Sequence, residues 1–200
     1  MTYSIPKDKD VFIPSRNRVD TLWTWNSLDY QTKSRAVIVC PEEEVEKHRA
    51  KGREAVARPP LKLSGVRQWL VDQFTEQGRA ANPLIMLDDD LGFFIRRDQS
   101  AFNLRACDLN DGEVELLLNH LRKLVRTKVV HAGLSPRQMN NQHWPALLTW
   151  DTRMNAVHCV LPDALNFYGI RYDEVDMMED YNVTLSLFAK GERNVQVVVS

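Results

Sequence analysis

The chain has 200 residues, 44% of them apolar and 26% charged, with 26 Lys plus Arg against 27 Asp plus Glu. That length predicts one domain able to bury about 70% of its unfolded surface, which excludes a disulfide-framed mini-protein. The even charge balance excludes the strong positive field of an avid, sequence-independent nucleic-acid binder. Composition near the globular average, without any apolar run approaching ~20 residues, excludes disorder and a membrane-spanning helix. The first ten residues, MTYSIPKDKD, lack a charged start followed by an apolar stretch. Cys40, Cys107 and Cys159 have no CxxC spacing, which suits a reducing compartment and buried thiols. The expectation is a cytoplasmic protein that does not touch the membrane.

In chain order, Val11-Phe12-Ile13 predicts a strand that stops at Pro14, and Ser15-Arg16-Asn17-Arg18 a polar loop after it. Asp20 to Arg35 reads as one partly amphipathic helix carrying Leu22, Trp23, Trp25 and Leu28, with Asp20 as its cap. Ala36 to Cys40 is a β-branched run expected of a strand covered on both faces. After Pro41, acidic Glu42 to Glu46 followed by Lys47, Arg49, Lys51 and Gly52 predicts a helix. Ser64 is placed as the cap of a helix carrying Val66, Trp69, Leu70 and Phe74, ended by Gly78. Pro83 to Leu87 is a second buried-strand run, terminating in Asp88-Asp89-Asp90. Asp111 is the expected cap of a helix from about Gly112 to Arg126. Its apolar stripe is Val114, Leu117, Leu118, Leu121 and Val125, and its opposite face holds Arg122, Lys123 and Arg126. Residues 132–145 read as a long exposed loop, Val157 to Leu161 as a strand, Glu179 to Lys190 as a helix ended by Gly191, and Val195 to Val199 as a last strand. Alternation of strands and helices over residues 1–200 predicts a single α/β domain, Rossmann-like, with a mostly parallel central sheet flanked by helices.

Three clusters carry chemistry. Three consecutive carboxylates at the end of a buried strand repel one another unless water or a cation relieves them. If the strand stays extended, its period of two turns Asp88 and Asp90 to one face and Asp89 to the other. Two hard oxygen ligands suit Mg²⁺ or Mn²⁺ and leave coordination positions for a diphosphate; the plain alternative is an acidic turn in water. Ser15, Arg16, Asn17 and Arg18 after the first strand are donors suited to phosphate or nucleobase, or simply a solvated loop. Glu179 and Asp180 open a late helix, where carboxylates either cap the positive end or, facing a metal, serve as a general base.

The order of IPSRNR after the first strand, GVRQW on a helix, LIMLDDDL at a strand end and MEDYNVTLSLFAKG on a late helix resembles a GT-A glycosyltransferase. More narrowly, it resembles the TET-associated and base J-type DNA glucosyltransferases, found largely in bacteriophages. The resemblance extends from about Val11 to Val199 and implies a GT-A-like fold holding a nucleotide-sugar, expected to be a UDP-sugar. It implies Mn²⁺ or Mg²⁺ on Asp88 and Asp90, and a donor lined by Pro14, Ser15, Arg16, Arg18, Arg67 and Asp89. Asp180, or Glu179 beside it, would deprotonate the acceptor hydroxyl of an inverting enzyme. The implied acceptor is DNA with a 5-hydroxymethylated pyrimidine made by a TET-like oxygenase, flipped out of the duplex. Arg137 and Trp144 would line the acceptor groove through phosphate contact and stacking. Many GT-A enzymes complete the metal shell with a late histidine, yet none follows His158. Water, His131, His143 or His158 remain for that place.

Three other readings stand beside this one. A sugar nucleotidyltransferase would need a glycine-rich loop and a lysine after the first strand, which SRNRVD lacks. A glycosyltransferase of saccharide, protein or lipid suits the near-neutral charge. A non-catalytic nucleic-acid binder would use Arg122, Lys123, Arg126 and Lys128, residues that otherwise form a solvated face.

Overall fold

The computed structural model of the protein describes residues 3–96, 104–136 and 146–198. Its centre is an eight-stranded sheet in the order β3-β2-β1-β4-β9-β7-β10-β8. These strands are β1 Val11–Pro14, β2 Ala36–Cys40, β3 Ala55–Ala57, β4 Leu84–Leu87, β7 His131–Leu134, β8 Leu148–Trp150, β9 Val157–Val160 and β10 Asn194–Val197. β5 Phe94–Arg96 and β6 Leu104–Ala106 form a separate antiparallel hairpin. β1 to β4 are mutually parallel, whereas β9 runs against β4 and β7, and β8 against β10. The expected mostly parallel sheet is therefore present, with β9 reversed inside it and β8 reversed at its edge.

Alternation within the central strands builds both faces of the core, because a strand sends successive side chains to opposite sides. Val11, Ile13, Ile38, Ile85 and Leu87 join one cluster, together with Leu118, Leu121 and Val125 of helix α5, Glu113–Thr127. Phe12, Val37, Val39, Leu84 and Met86 join the other. Facing them there are Val66, Leu70 and Phe74 of α4, Leu63–Glu76, Leu165 of α6, Pro162–Tyr168, and Leu187 of α7, Glu179–Ala189. Full burial on both faces explains why β1, β2 and β4 read as continuous apolar runs.

Several local expectations are corrected. The helix expected over Asp20 to Arg35 is two short ones, α1 Trp23–Asn26 and α2 Tyr30–Arg35, and Asp20 is exposed. The break comes from Asp29, whose Oδ1 accepts from the Thr32 amide at 2.7 Å and starts α2. Its Oδ2 accepts from the Glu115 amide at 2.9 Å. One buried carboxylate thus holds the starts of α2 and α5, and Asp111 does not cap α5, which begins after Gly112. Ser64 lies inside α4, whose cap position is Lys62. α3 spans Glu42–Ala50 as its charge order predicts. Residues 132–134 belong to buried β7 rather than to a loop. There the chain needs glycine, since a Cβ on Gly133 would meet the Val157 carbonyl oxygen at 2.5 Å and the Met154 sulfur at 2.8 Å. All three cysteines are free and buried, and burial pushes the thiols of Cys40 and Cys107 up to about 12 and about 11.

Arg122 departs from the solvated basic face: it is 5% exposed, whereas Lys123, Arg126 and Lys128 are exposed. Its guanidinium donates to Asp10 at 2.7 Å and Glu115 at 2.8 Å, and Arg35 donates to the same Asp10. Removing the central cation leaves two buried carboxylates without it, so Arg122→Ala is expected to cost about 3–5 kcal/mol, whereas Lys123→Ala stays within about 0.5 kcal/mol. Urea unfolding of the two variants checks this difference.

Candidate active site

From β1 the chain steps to β2 and β3 on one side, while β4 lies on the other. The C-terminal ends of β1 and β4 therefore flank a switch point, the crevice where open α/β sheets bind ligands. The loop after β1 is pinned there: the Ser15 amide donates to Val39 O at 3.0 Å, and the Asn17 amide to Glu44 Oε1 at 2.9 Å, with Asn17 in the left-handed region at φ 59°. Opposite, β4 ends at Leu87 and the three aspartates turn away. The extended alternation expected of Asp88, Asp89 and Asp90 is replaced by a turn, and all three line one cavity of about 380 Å³ with Pro14, Ser15 and the loop arginines.

Thr24 fixes this turn. Its hydroxyl donates to Asp88 O at 2.5 Å and accepts from the Leu91 amide at 2.7 Å, and its own amide donates to Asp89 O at 3.3 Å. Ser15 Oγ donates to Asp89 Oδ2 at 3.0 Å and joins the two strand ends. From α4, Arg67 donates to Asp88 Oδ1 at 2.6 Å through Nη2 and to Glu179 Oε1 at 2.7 Å through Nη1. Burial is the main cause that pushes the Asp88 carboxyl up to about 6; Arg67 pulls it down, and Asp90 and Asp89 push it further up. Cations on the cavity wall are Arg16, Arg18, Arg58 and Lys62. Arg58 is buried, its Nη1 donating to the carbonyls of Pro59 and Leu61. Sequence reasoning missed Arg58, Lys62 and Thr24: Arg58 precedes Pro-Pro without a pattern of its own, and Thr24 acts through backbone groups of another element.

Glu179 and Asp180 are 8% and 7% exposed, and neither caps α7 with its side chain. Glu179 is held by Arg67, and Asp180 Oδ2 accepts from Arg153 Nε at 3.1 Å. Neither lines the switch-point cavity. Among the described residues no group of three His, Cys, Asp or Glu gathers as a complete metal cage. Arg137, Trp144 and His143 lie outside the described residues.

Residues 9–198 match the sequence model of the TET-Associated Glycosyltransferase family. The chain belongs to the TET-associated glycosyltransferase family. It is accordingly a glycosyltransferase, and its sheet is of the GT-A-like type. No curated protein matches the chain. Among solved structures it resembles a protein described as a nucleotide-diphospho-sugar transferase from Desulfovibrio desulfuricans G20, with TM-score 0.52 and 13% identity over 94% of this chain and 78% of that one. It is also similar to a CMP:2-keto-3-deoxy-manno-octonic acid synthetase solved with CTP, with TM-score 0.46 and 14% identity over 94% of this chain and 88% of that one.

In this TET-associated glycosyltransferase His131 and His158 are packed residues. Both are fully buried with rings stacked at 5.3 Å, and His131 Nε2 lies 3.2 Å from His158 Nδ1. Burial, then the nearby Arg67, holds the His131 imidazole down from 6.5 to about 3, and the same causes, with His131, hold His158 well below its ordinary value. Folded histidines stay neutral where unfolded ones take a proton, so stability is full above about 6.5 and is lost as pH falls from there toward about 3. The melting temperature is expected to drop between about pH 7 and about pH 5.5, where ordinary carboxylates have barely begun to titrate, and to drop less in His131→Gln. Equal pH dependence in the parent and His131→Gln contradicts the buried neutral pair; the Asp88 carboxyl, pushed up to about 6, acts in the opposite sense in both proteins and cancels from the comparison.

Proposed function

We propose that the protein transfers a sugar from a UDP-sugar to the hydroxymethyl group of a 5-hydroxymethylated pyrimidine in DNA, with a divalent cation at the aspartate turn. The observation that carries the donor side is the switch-point cavity, where Arg16, Arg18, Arg58 and Lys62 stand across from Asp88, Asp89 and Asp90. Guanidinium and ammonium groups match the negative oxygens of a nucleoside diphosphate. Crowded carboxylates, one of them pushed up to about 6 by burial, by Asp90 and by Asp89 against the pull of Arg67, are relieved by a cation. The donor set fits Mg²⁺ or Mn²⁺: Asp88 and Asp90 would hold it, with diphosphate oxygens and water supplying the rest of the shell. Bound there, the ion would stabilise charge on the departing diphosphate.

In the reaction the bond from the sugar's anomeric carbon to the diphosphate oxygen breaks, and one from that carbon to the acceptor's hydroxymethyl oxygen forms. The hydroxyl proton passes to a carboxylate, and the nucleoside diphosphate leaves. Glu179 and Asp180, the two candidates for that carboxylate, do not line the switch-point cavity, and of the two Asp180 is the freer to take the proton. Glu179 balances Arg67, whose side chain is 4% exposed, and protonating it would leave a buried cation half unpaired, whereas the Arg153 partner of Asp180 is 47% exposed. Membership of a family described as TET-associated supports the DNA acceptor and a place beside a TET-like oxygenase. Among the described residues no helix is long and apolar enough to cross a membrane.

Incubating the protein with labelled UDP-sugars, Mn²⁺ and DNA carrying 5-hydroxymethylcytosine tests the reading; label in the DNA is expected, and transfer from no common donor contradicts it. UDP with Mn²⁺ at about a hundred times its dissociation constant is expected to add about 2.7 kcal/mol of stability, about 5–10 °C in melting temperature for a chain of this size. That shift is expected to vanish in Asp90→Ala and to persist when Lys123 and Arg126 are both replaced by alanine. Equal stabilisation of Asp90→Ala contradicts the assignment of the cation.

A further inference from the structure

A second cavity, of about 240 Å³, adjoins the first, and Asp90 lines both. Its walls come from the segment after the aspartate turn, from β7, from α5 and from the start of β9. They are chiefly apolar: Leu91, Phe93, Phe94, Leu134, Ala156 and Val157 contribute hydrocarbon, and Ser135 and Asn155 contribute polar side chains. Ser135 is 8% exposed, and its Oγ is buried without a hydrogen-bond partner. Its backbone is fixed, because its amide donates to Val197 O at 3.0 Å. Native interiors pair nearly all such hydroxyls, and Ser135 is the residue of this cavity's lining whose hydroxyl is left without a partner.

Resting on the reading of the chain as a DNA glycosyltransferase, we propose that this cavity is the acceptor subsite, seating the pyrimidine ring of a base turned out of the DNA stack, with Ser135 and Asn155 meeting its polar edge. Adjacency is the first argument. Group transfer needs acceptor and donor side by side, and Asp90 is the residue shared by the two cavities. Wall chemistry is the second. A saccharide would bring a hydroxyl on nearly every carbon into walls whose polar side chains are Asp90, Ser135 and Asn155, and each unpaired hydroxyl costs free energy. A planar heterocycle presents faces that stack on aromatic and aliphatic groups and confines its polar atoms to one edge, the manner in which flipped bases are held.

Two variants test the subsite. Ala156→Trp fills the cavity, and Ser135→Ala removes the unpartnered hydroxyl while leaving the space open. For each, kcat/KM is measured on DNA containing 5-hydroxymethylcytosine, UDP affinity with Mn²⁺ by calorimetry, and UDP-sugar hydrolysis to water without DNA. Ala156→Trp is expected to lose at least about a hundredfold in kcat/KM for DNA and Ser135→Ala about tenfold, the worth of one hydrogen bond to a substrate. UDP affinity is expected to stay within about twofold of the parent, which also establishes that both variants are folded, whereas hydrolysis, whose water comes from the acceptor side, is expected to fall in Ala156→Trp. Wild-type transfer rates in both variants, with the parent active on DNA, overturn the subsite and leave the proposed function standing. A parent that transfers to no hydroxymethylated DNA but to another acceptor overturns both.

Discussion

One guanidinium ties the candidate site to the fold. Arg67 is 3% exposed, and a cation so placed requires anions within hydrogen-bond reach or it destabilises the chain by several kcal/mol. Its two anions come from distant parts of the sequence, Asp88 at the end of β4 and Glu179 at the start of α7. Satisfying Arg67 therefore fixes where the aspartate turn begins and how α7 approaches it. Thr24 makes the second constraint, its hydroxyl holding Asp88 O and the Leu91 amide and its own amide holding Asp89 O. A loop held by buried groups on rigid helices can place carboxylates with the accuracy that transfer chemistry demands.

The chain spends its charge unevenly. Formal charge is −1, yet cations collect at the switch point as Arg16, Arg18, Arg58 and Lys62, while Arg35 and Arg122 are consumed inside by Asp10 and Glu115. In the proposed reading a donor diphosphate would meet these four cations at the crevice. The acidic turn opposite keeps that crevice from being a simple anion trap, because its carboxylates also need a counter-ion. Beyond Asp90 the surroundings change to hydrocarbon within one residue's width, so two ligand parts of opposite character can lie side by side.

Much of this was legible in the sequence where the physics is local. Runs such as AVIVC and LIML announce strands covered on both faces, and the Val114 to Val125 stripe announces a helix facing the core. The four motifs, in their order, point to the family that the comparison shows. What was hidden depends on partners far away in the chain. Three-residue strands such as β3 and β8 are too short for a period to show. Arg122 looks like part of a solvated face until Asp10 is folded over it, and Asp29 splits one expected helix into two because it also serves α5. Asp88, Asp89 and Asp90 were recognisable as a cluster, but all three line one cavity because of a turn that Thr24 holds and not through strand alternation. Arg58 and the cavity past Asp90 carry no sequence motif at all, since tertiary packing alone assembles them.

Everything turns on whether the aspartate turn and the loop arginines meet a single metal-bound diphosphate. A crystal structure with Mn²⁺ and UDP, with manganese located by its anomalous signal, measures this directly. The account predicts a manganese peak on the carboxylates of Asp88 and Asp90, with the diphosphate between that ion and Arg16. Nucleotide bound elsewhere, or a turn that leaves manganese uncoordinated while UDP occupies the crevice, contradicts it.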